Sequence, residues 1–209
     1  QLTKEQNSLT IIEVKATFPN INLGYVQIGK LLEVKNGMEV WSCKRFIEKP
    51  NPERARKFLT SYKYLWNTGL YMWKVSTILA QFKKYLPKTY SALIQIQKAA
   101  ATGDIKKRDA AIAQYYPLCD KISIDYGIME KVNPEMVRVI PADLGWNDVG
   151  TWDALYDELT EFSDQNLTKG TVVALDTKGS LIYGNKKKLI TTVGVENLIV
   201  VDTDDVLLI

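Results

Sequence analysis

A change in the pattern of apolar residues near Phe162 is the feature that most constrains how this chain folds. Up to that point, short β-type segments alternate with segments whose apolar residues recur at the helical spacing. Beyond it lie only short β-rich pieces, about ten residues apart and separated by turn residues. The first pattern is typical of an α/β layer and the second of a small sheet or solenoid. We therefore predict an α/β domain over residues 1–162 and a β-rich module over 163–209.

Capping residues indicate where several helices begin. In "NPERARKFLTSYKYL", Asn51 is typical of an N-cap and Pro52 of the first helical position. Ser76, Ser123 and Thr151 each precede a further stretch with helical periodicity. We expect each of these three residues to cap a helix.

The chain contains no histidine, and this limits its chemistry. The commonest general base, the Ser-His and Cys-His nucleophile pairs and most catalytic zinc sites are therefore excluded within these residues. Carboxylates, lysines and a hard metal ion are what remains. They suit reactions whose nucleophile is already an anion, and phosphoryl and nucleotidyl transfers are of this kind.

Charge and cysteine usage exclude other classes. The formal net charge is only +3, with basic residues interspersed among acidic ones, which argues against a nucleic-acid partner. Cys43 and Cys119 lie far apart and lack the Cys-x-x-Cys spacing of a structural zinc site. No signal-peptide pattern and no apolar run of membrane-spanning length occur. We predict a reduced, cytoplasmic protein with no nucleic-acid partner and no membrane partner.

Five polar residues are candidate ligand groups, and each also has an ordinary structural explanation. Glu48 and Lys49, in "FIEKP", follow a predicted strand and are either ligand groups or a surface ion pair. Asn67, in "WNTG", is a sugar contact or a turn residue. Asp125 begins a predicted helix and is a ligand or a partner of the helix dipole. Asp148, in "GWNDVGTW", is a metal ligand or a turn residue.

The motifs "FIEKP", "WNTGLYMW", "SIDYGIMEK" and "GWNDVGTWDAL", in this order and at these separations, resemble those of the sugar-nucleotide pyrophosphorylases. Within that family the pattern is most similar to the mannose-1-phosphate guanylyltransferases, and the closing "NLIVVDTDDVLLI" extends the similarity over nearly the whole chain. The resemblance implies a Rossmann-like α/β domain with a mixed sheet, of the nucleotide-diphospho-sugar transferase type. A small β-helix-like module would follow it, and the protein would be a homo-oligomer, namely a dimer.

The same resemblance implies a role for each candidate residue. Glu48 would accept hydrogen bonds from mannose hydroxyls, and Lys49 would offset the charge of the sugar phosphate as a catalytic and substrate-binding residue. Asn67 would bind another hydroxyl, and Asp125 would belong to the same substrate-binding set. Asp148 would be catalytic by holding the Mg²⁺ cofactor that bridges the phosphates, because magnesium takes few protein carboxylates together with phosphate oxygens and water.

The chain departs from the family pattern in two segments. "NLGYV" lies where the family shows a doubled Gly-Tyr pattern; Gly24 and Tyr25 remain as substrate-binding candidates, while Asn22 and Leu23 replace the other pair. The family's glycine-rich phosphate loop does not occur in these 209 residues. We therefore expect the C-terminal part of such an enzyme, inactive by itself. We also expect an exposed sheet edge that favours self-association.

The implied reaction joins mannose 1-phosphate and GTP to give GDP-mannose and pyrophosphate. It needs no general base, because a phosphate monoester is already ionised at neutral pH, which agrees with a chain that lacks histidine. Two alternatives stay open. One is a non-catalytic module that binds a sugar phosphate or assembles oligomers. The other is a pyrophosphorylase for another sugar 1-phosphate or nucleotide.

Overall fold

The computed structural model describes residues 7–209, so residues 1–6 of the predicted first domain lie outside the described residues. By its internal contacts the chain divides into two compact units, one ending at Leu144 and the other spanning Gly145–Ile209. No helix among the described residues is both long enough and apolar enough to cross a membrane.

The first unit is built on five strands that close into a barrel in the order β1-β4-β2-β3-β5. The strands are β1 (Leu9–Lys15), β2 (Tyr25–Lys35), β3 (Met38–Ile47), β4 (Tyr64–Met72) and β5 (Val137–Pro141). β1 pairs with β5 in parallel, and the other pairs are antiparallel. The predicted mixed sheet is confirmed. The expected exposed edge is wrong for this sheet, because each of the five strands has a neighbour on both sides.

Local sequence explains several of these elements. β2 and β3 form a hairpin whose turn residues, Asn36 and Gly37, both have positive φ, as a tight two-residue connection requires. β1 is buried along most of its length because it lies between β4 and β5. Its apolar side chains join a core to which the other strands also contribute, and this core includes Leu9, Ile11, Val26, Phe46, Ile128 and Val139.

Helices connect the strands of the first unit. They are α1 (Pro52–Ser61), α2 (Val75–Tyr85), α3 (Pro87–Ala100) and α4 (Ile105–Tyr115), with short 3₁₀ turns at Tyr116–Leu118 and Pro134–Met136 and a π-helical turn at Asp125–Met129. The predicted cap of α1 is confirmed, because the Asn51 side chain accepts a hydrogen bond from the Arg54 amide at 2.9 Å.

Two predicted caps differ from the structure. The cap at Ser76 is wrong, because α2 begins at Val75 and Lys74, two residues before Ser76, occupies the N-cap position without a side-chain bond. Ser123 precedes the π-helical turn by two residues, and Ile124 is its N-cap. The Ser123 hydroxyl nevertheless accepts a long hydrogen bond, 3.5 Å, from the Tyr126 amide. A serine near a helix start is therefore a weaker signal than the Asn-Pro pair.

The second unit begins with α5 (Trp152–Leu159), and Thr151 caps this helix as predicted. Short strands follow: β6 (Leu167–Lys169), β7 (Thr171–Leu175), β8 (Leu181–Tyr183), β9 (Leu189–Val193), β10 (Ile199–Asp202) and β11 (Leu207–Leu208). β6, β8 and β10 pair in parallel, and so do β7 and β9, while β11 pairs with β10 in antiparallel fashion. Successive coils thus stack as in a β-helix.

Stacked turns join the coils of the second unit. The Asn166 amide donates to the Thr177 carbonyl and its oxygen accepts from the Ser180 amide, while the Ser180 hydroxyl accepts from the Leu198 amide. α5 is hydrogen-bonded to the segment that leads into β6, because the Tyr156 hydroxyl lies within donating distance of the carbonyls of Ser163 and Gln165. The domain boundary at residue 162 stays a prediction. The division by internal contacts places α5 in the second unit.

Candidate functional site

Gly24, Glu48, Asn67 and Asp125 lie together in the first unit. Gly24 immediately precedes β2, Glu48 follows β3, Asn67 lies within β4 and Asp125 begins the π-helical turn. The main-chain amide of Asn67 donates to the Gly24 carbonyl at 2.8 Å. A Cβ atom on Gly24 would overlap Glu48 Oε2 and lie 3.1 Å from Asn67 Cβ. A side chain at position 24 would therefore force the carboxyl end of Glu48 to move and would crowd Asn67, so the backbone passes directly against two candidate ligand groups.

Asn67 and Asp125 are joined by a hydrogen-bond network that also includes Tyr71. Asn67 Nδ2 lies 3.2 Å from Asp125 Oδ1 and 3.1 Å from the Tyr71 hydroxyl, and that hydroxyl donates to the same Asp125 oxygen. Burial, followed by the hydrogen bond and the charge of Asp125, raises the pKa of Tyr71. Tyr71 thus remains a neutral donor, and the Asp125 carboxylate is fixed in one orientation.

Glu48 combines a buried oxygen with neighbouring negative charge. Its main-chain amide donates to Glu130 Oε1 at 2.8 Å. Glu48 Oε2 is buried and has no hydrogen-bond partner among the described residues. Burial raises the pKa of Glu48 to about 7, Asp125 and Glu130 contribute in the same direction, and Lys49 opposes them. The Glu48 carboxyl can therefore both donate and accept near neutral pH.

Lys49 and Tyr25 differ in their access to a ligand. Lys49 is exposed, has a positive φ of 45° and, in the part of the chain that the structure describes, forms no ion pair with Glu48. Tyr25 is fully buried, and its hydroxyl donates to the Asn20 carbonyl at 2.9 Å. The Tyr25 ring packs on Phe58 with the centroids 5.3 Å apart. Tyr25 therefore supports the segment that carries Gly24.

Asp148 belongs to the second unit and lies in a stretch without regular secondary structure. Its side chain is exposed, and a Cβ atom on Gly150 would lie 3.5 Å from Asp148 Oδ1. Among the described residues there is no group of three or more acidic, cysteine or histidine side chains arranged to hold a metal ion. A single accessible carboxylate fits a Mg²⁺ ion that takes its other ligands from phosphates and water.

Sequence reasoning missed three polar residues in or next to the site. Tyr71 and Glu130 lie inside the motifs "WNTGLYMW" and "SIDYGIMEK", but no local rule distinguishes them from core or surface positions. Glu13 is fully buried in β1, where its carboxyl accepts a hydrogen bond from the Thr68 amide. A lone acid within the apolar stretch "LTIIEV" was the available signal, because acids are rarely buried without a purpose.

Comparison with protein families gives two matches. The family described as nucleotidyl transferase matches residues 1–165, and the MannoseP isomerase/GMP-like beta-helix domain matches residues 170–209. A solved structure described as a mannose-1-phosphate geranyltransferase from Thermus thermophilus aligns with a TM-score of 0.74 and 29% identity. That alignment covers 98% of this chain and 56% of the other.

Curated relatives agree with these matches. Alginate biosynthesis protein AlgA from Pseudomonas aeruginosa is 32% identical over 98% of this chain and 41% of its own length. Xanthan biosynthesis protein XanB from Xanthomonas campestris is 35% identical over 98% of this chain and 41% of its own. A mannose-1-phosphate guanylyltransferase from Escherichia coli is 31% identical over 98% of this chain and 42% of its own length. The chain thus spans about two fifths of the length of these relatives, and it belongs to the nucleotidyl transferase family.

Proposed function

We propose that this chain forms the sugar-phosphate side of a mannose-1-phosphate guanylyltransferase, which converts mannose 1-phosphate and GTP into GDP-mannose and pyrophosphate. The observation that carries the proposal is the convergence of Gly24, Glu48, Asn67 and Asp125 on one small region of the first unit. The relatives named as mannose-1-phosphate guanylyltransferases support the choice of sugar phosphate.

The chemistry of this region suits a polyhydroxylated ligand. Glu48 is only partly buried, so a ligand hydroxyl can approach its carboxyl group, whose Oε2 atom is buried with no hydrogen-bond partner among the described residues. The Asp125 carboxylate offers further acceptor capacity beside the Asn67 amide. Sugar hydroxyls donate and accept at neighbouring positions, and they match this mixture of groups.

Lys49 and Asp148 are assigned to the charged part of the substrates. Lys49 is exposed directly beside Glu48, so its ammonium group would bind the phosphate attached to the sugar. Asp148 would hold Mg²⁺, which when bound neutralises phosphate charge. Because the sugar phosphate is already an anionic nucleophile, these residues have to bind and align the reactants rather than remove a proton.

Two further properties of the protein are proposed. A cytoplasmic location is supported by Cys43 and Cys119, which are both free thiols. The dimer stays a prediction from the family resemblance.

The direct test is a substrate panel on the complete protein that contains this chain. Mannose 1-phosphate and glucose 1-phosphate are each combined with GTP, UTP and dTTP, and pyrophosphate release is measured with Mg²⁺ present. We expect mannose 1-phosphate with GTP to give the highest kcat/KM. A preference for another pair would contradict the proposed substrates. Binding of the sugar phosphate without turnover would favour a non-catalytic module.

A further inference from the structure

Glu13 is a buried acid that the proposed function does not use. Its side chain is fully buried in β1. Glu13 Oε2 accepts a hydrogen bond from the Thr68 amide at 2.9 Å, whereas Oε1 is buried with no hydrogen-bond partner among the described residues. Burying a carboxyl group destabilises a fold unless hydrogen bonds compensate for the lost hydration, and here only one of the two oxygens has such a bond.

The partner of Glu13 lies in an irregular part of β4. In the pairing of β1 with β4, Ile12 lies opposite Leu70 while Glu13 lies opposite Asn67, so Thr68 and Gly69 are extra residues that form a bulge. The Thr68 hydroxyl donates to the Ile12 carbonyl at 2.5 Å, and Gly69 has a positive φ of 75°. A bulge re-aims the side chains next to it, and Asn67 is the neighbouring residue.

The bulge determines how the Asn67 side-chain amide is oriented. Asn67 Oδ1 accepts a hydrogen bond from the Gly69 amide at 3.1 Å. Its Nδ2 is thereby directed to Asp125 Oδ1 and to the Tyr71 hydroxyl. Without the Glu13 carboxyl, the Thr68 amide would lose its acceptor in a partly buried position and the bulge would rearrange.

The surroundings of Glu13 favour its neutral form. Glu13 interacts electrostatically with Asp125 of the π-helical turn, with Tyr71 of β4 and with Cys43 of β3. None of these groups carries a positive charge. Burial, followed by the charge of Asp125, raises the pKa of Glu13, while the bond from Thr68 opposes the change. A neutral glutamic acid presents a carbonyl acceptor and one donor, which glutamine also provides.

We propose that Glu13 is a positioning residue of the sugar-phosphate site, which holds the Thr68–Gly69 bulge and through it the Asn67 side-chain amide. The inference rests on the proposed function of Asn67. It makes two distinct claims: Glu13 acts through Asn67, and its hydrogen-bonding capacity rather than its charge matters.

The test is a double-mutant cycle in the complete protein. We expect Glu13→Ala to raise KM for mannose 1-phosphate about tenfold, the effect of losing roughly one hydrogen bond, with KM for GTP unchanged. Glu13→Gln should stay within about twofold of wild type. In an Asn67→Ala background, Glu13→Ala should change KM for mannose 1-phosphate by less than about twofold, because the residue through which it acts is gone.

The inference would be overturned if the Glu13 and Asn67 substitutions changed KM for mannose 1-phosphate independently of each other. It would also be overturned if Glu13→Ala raised KM for mannose 1-phosphate and KM for GTP equally. If Glu13→Ala does not fold, Glu13→Met replaces it, since methionine keeps the volume without a comparable acceptor. Glu39→Gln is the control, at an exposed glutamate of β3.

A ligand-free measurement separates this inference from the proposed function. In ¹⁵N NMR spectra of the chain, the Gly69 amide and the Asn67 side-chain amide should keep their wild-type shifts in Glu13→Gln and should move in the Ala or Met variant. Unchanged shifts in the latter would overturn the role of Glu13 even if the protein does bind mannose 1-phosphate. Moved shifts, together with no sugar-phosphate binding by the wild type, would sink the proposed function alone.

Discussion

At Glu48, burial and two neighbouring carboxylates act on one carboxyl group. They raise its pKa from 4.5 to about 7. Between these two values the folded state therefore binds more protons than the unfolded state. The contribution of Glu48 to stability is complete below pH 4.5 and is lost as the pH rises through about 7.

Replacing Glu48 with glutamine removes this proton linkage. Between about pH 5 and pH 8, the free energy of unfolding of the wild type should fall relative to Glu48→Gln by on the order of 1 kcal/mol, reduced by solvent screening at a partly exposed side chain. Urea unfolding at both pH values measures the difference, with Glu39→Gln as control. A difference that does not vary with pH would contradict the assignment.

At Asp148, the ligand and turn explanations predict different results for one substitution. Asn caps and turns about as well as Asp, so Asp148→Asn should keep turnover if the residue has only a structural role. If Asp148 holds Mg²⁺, the loss of charge should reduce kcat of the complete protein by about 10²-fold or more, while the melting temperature barely moves.

A magnesium titration of Asp148→Asn, with thermal unfolding in parallel, decides between the two explanations. Partial rescue by high Mg²⁺ or by Mn²⁺ is the expected result. Asp157→Asn, at an exposed position of α5, is the matched control. Near-normal turnover of Asp148→Asn at ordinary Mg²⁺ would end the ligand hypothesis.

At the scale of elements, signals carried by adjacent residues predicted the structure best. The Asn51 cap of α1 and the Thr151 cap of α5 depend on residues within one turn, and both are confirmed. The change to short strands near Phe162 predicted a small sheet or solenoid, and the structure has the stacked coils of a solenoid, which leave a repeated pattern of β-type residues and turns.

Contacts between distant parts of the chain could not be predicted in this way. The bonds from Thr68 to Glu13 and from Asn67 to Asp125 join residues 55 and 58 positions apart. Closure of the sheet likewise depends on the pairing of β5 with both β1 and β3. These features are set by register and packing, for which periodicity in one segment provides no information. The family resemblance supplied candidate residues but not the bulge that orients them.

The turn ladder of the β-helix leads to a prediction about an element. Asn166 satisfies both the Thr177 carbonyl and the Ser180 amide, so Asn166→Ala leaves two polar groups without their partners. We expect it to destabilise the chain by about 1–3 kcal/mol in chemical denaturation. Asn147→Ala, which removes one exposed bond to Glu158, should cost much less. Equal losses would show that the ladder contributes little.

At the scale of the whole molecule, the chain carries the candidate sugar groups but no glycine-rich phosphate loop in its 209 residues. Binding of a nucleotide triphosphate usually depends on such a loop, because its main-chain amides surround the phosphates. We therefore expect the purified chain to bind mannose 1-phosphate, detectable by calorimetry, and to form no GDP-mannose. Robust synthesis of GDP-mannose by the chain alone would contradict this division of the site.

The central claim is that Glu48 and its neighbours bind the sugar phosphate rather than the nucleotide. Steady-state kinetics of Glu48→Gln in the complete protein test it most directly, because KM for each substrate is measured separately. At a pH well above the raised pKa of Glu48, where its carboxyl is ionised, we predict a loss of roughly 1.5–3 kcal/mol in kcat/KM for mannose 1-phosphate, the range for a hydrogen bond to a charged group, with KM for GTP unchanged. Equal losses for both substrates, or a drop in melting temperature large enough to explain the defect, would contradict the account.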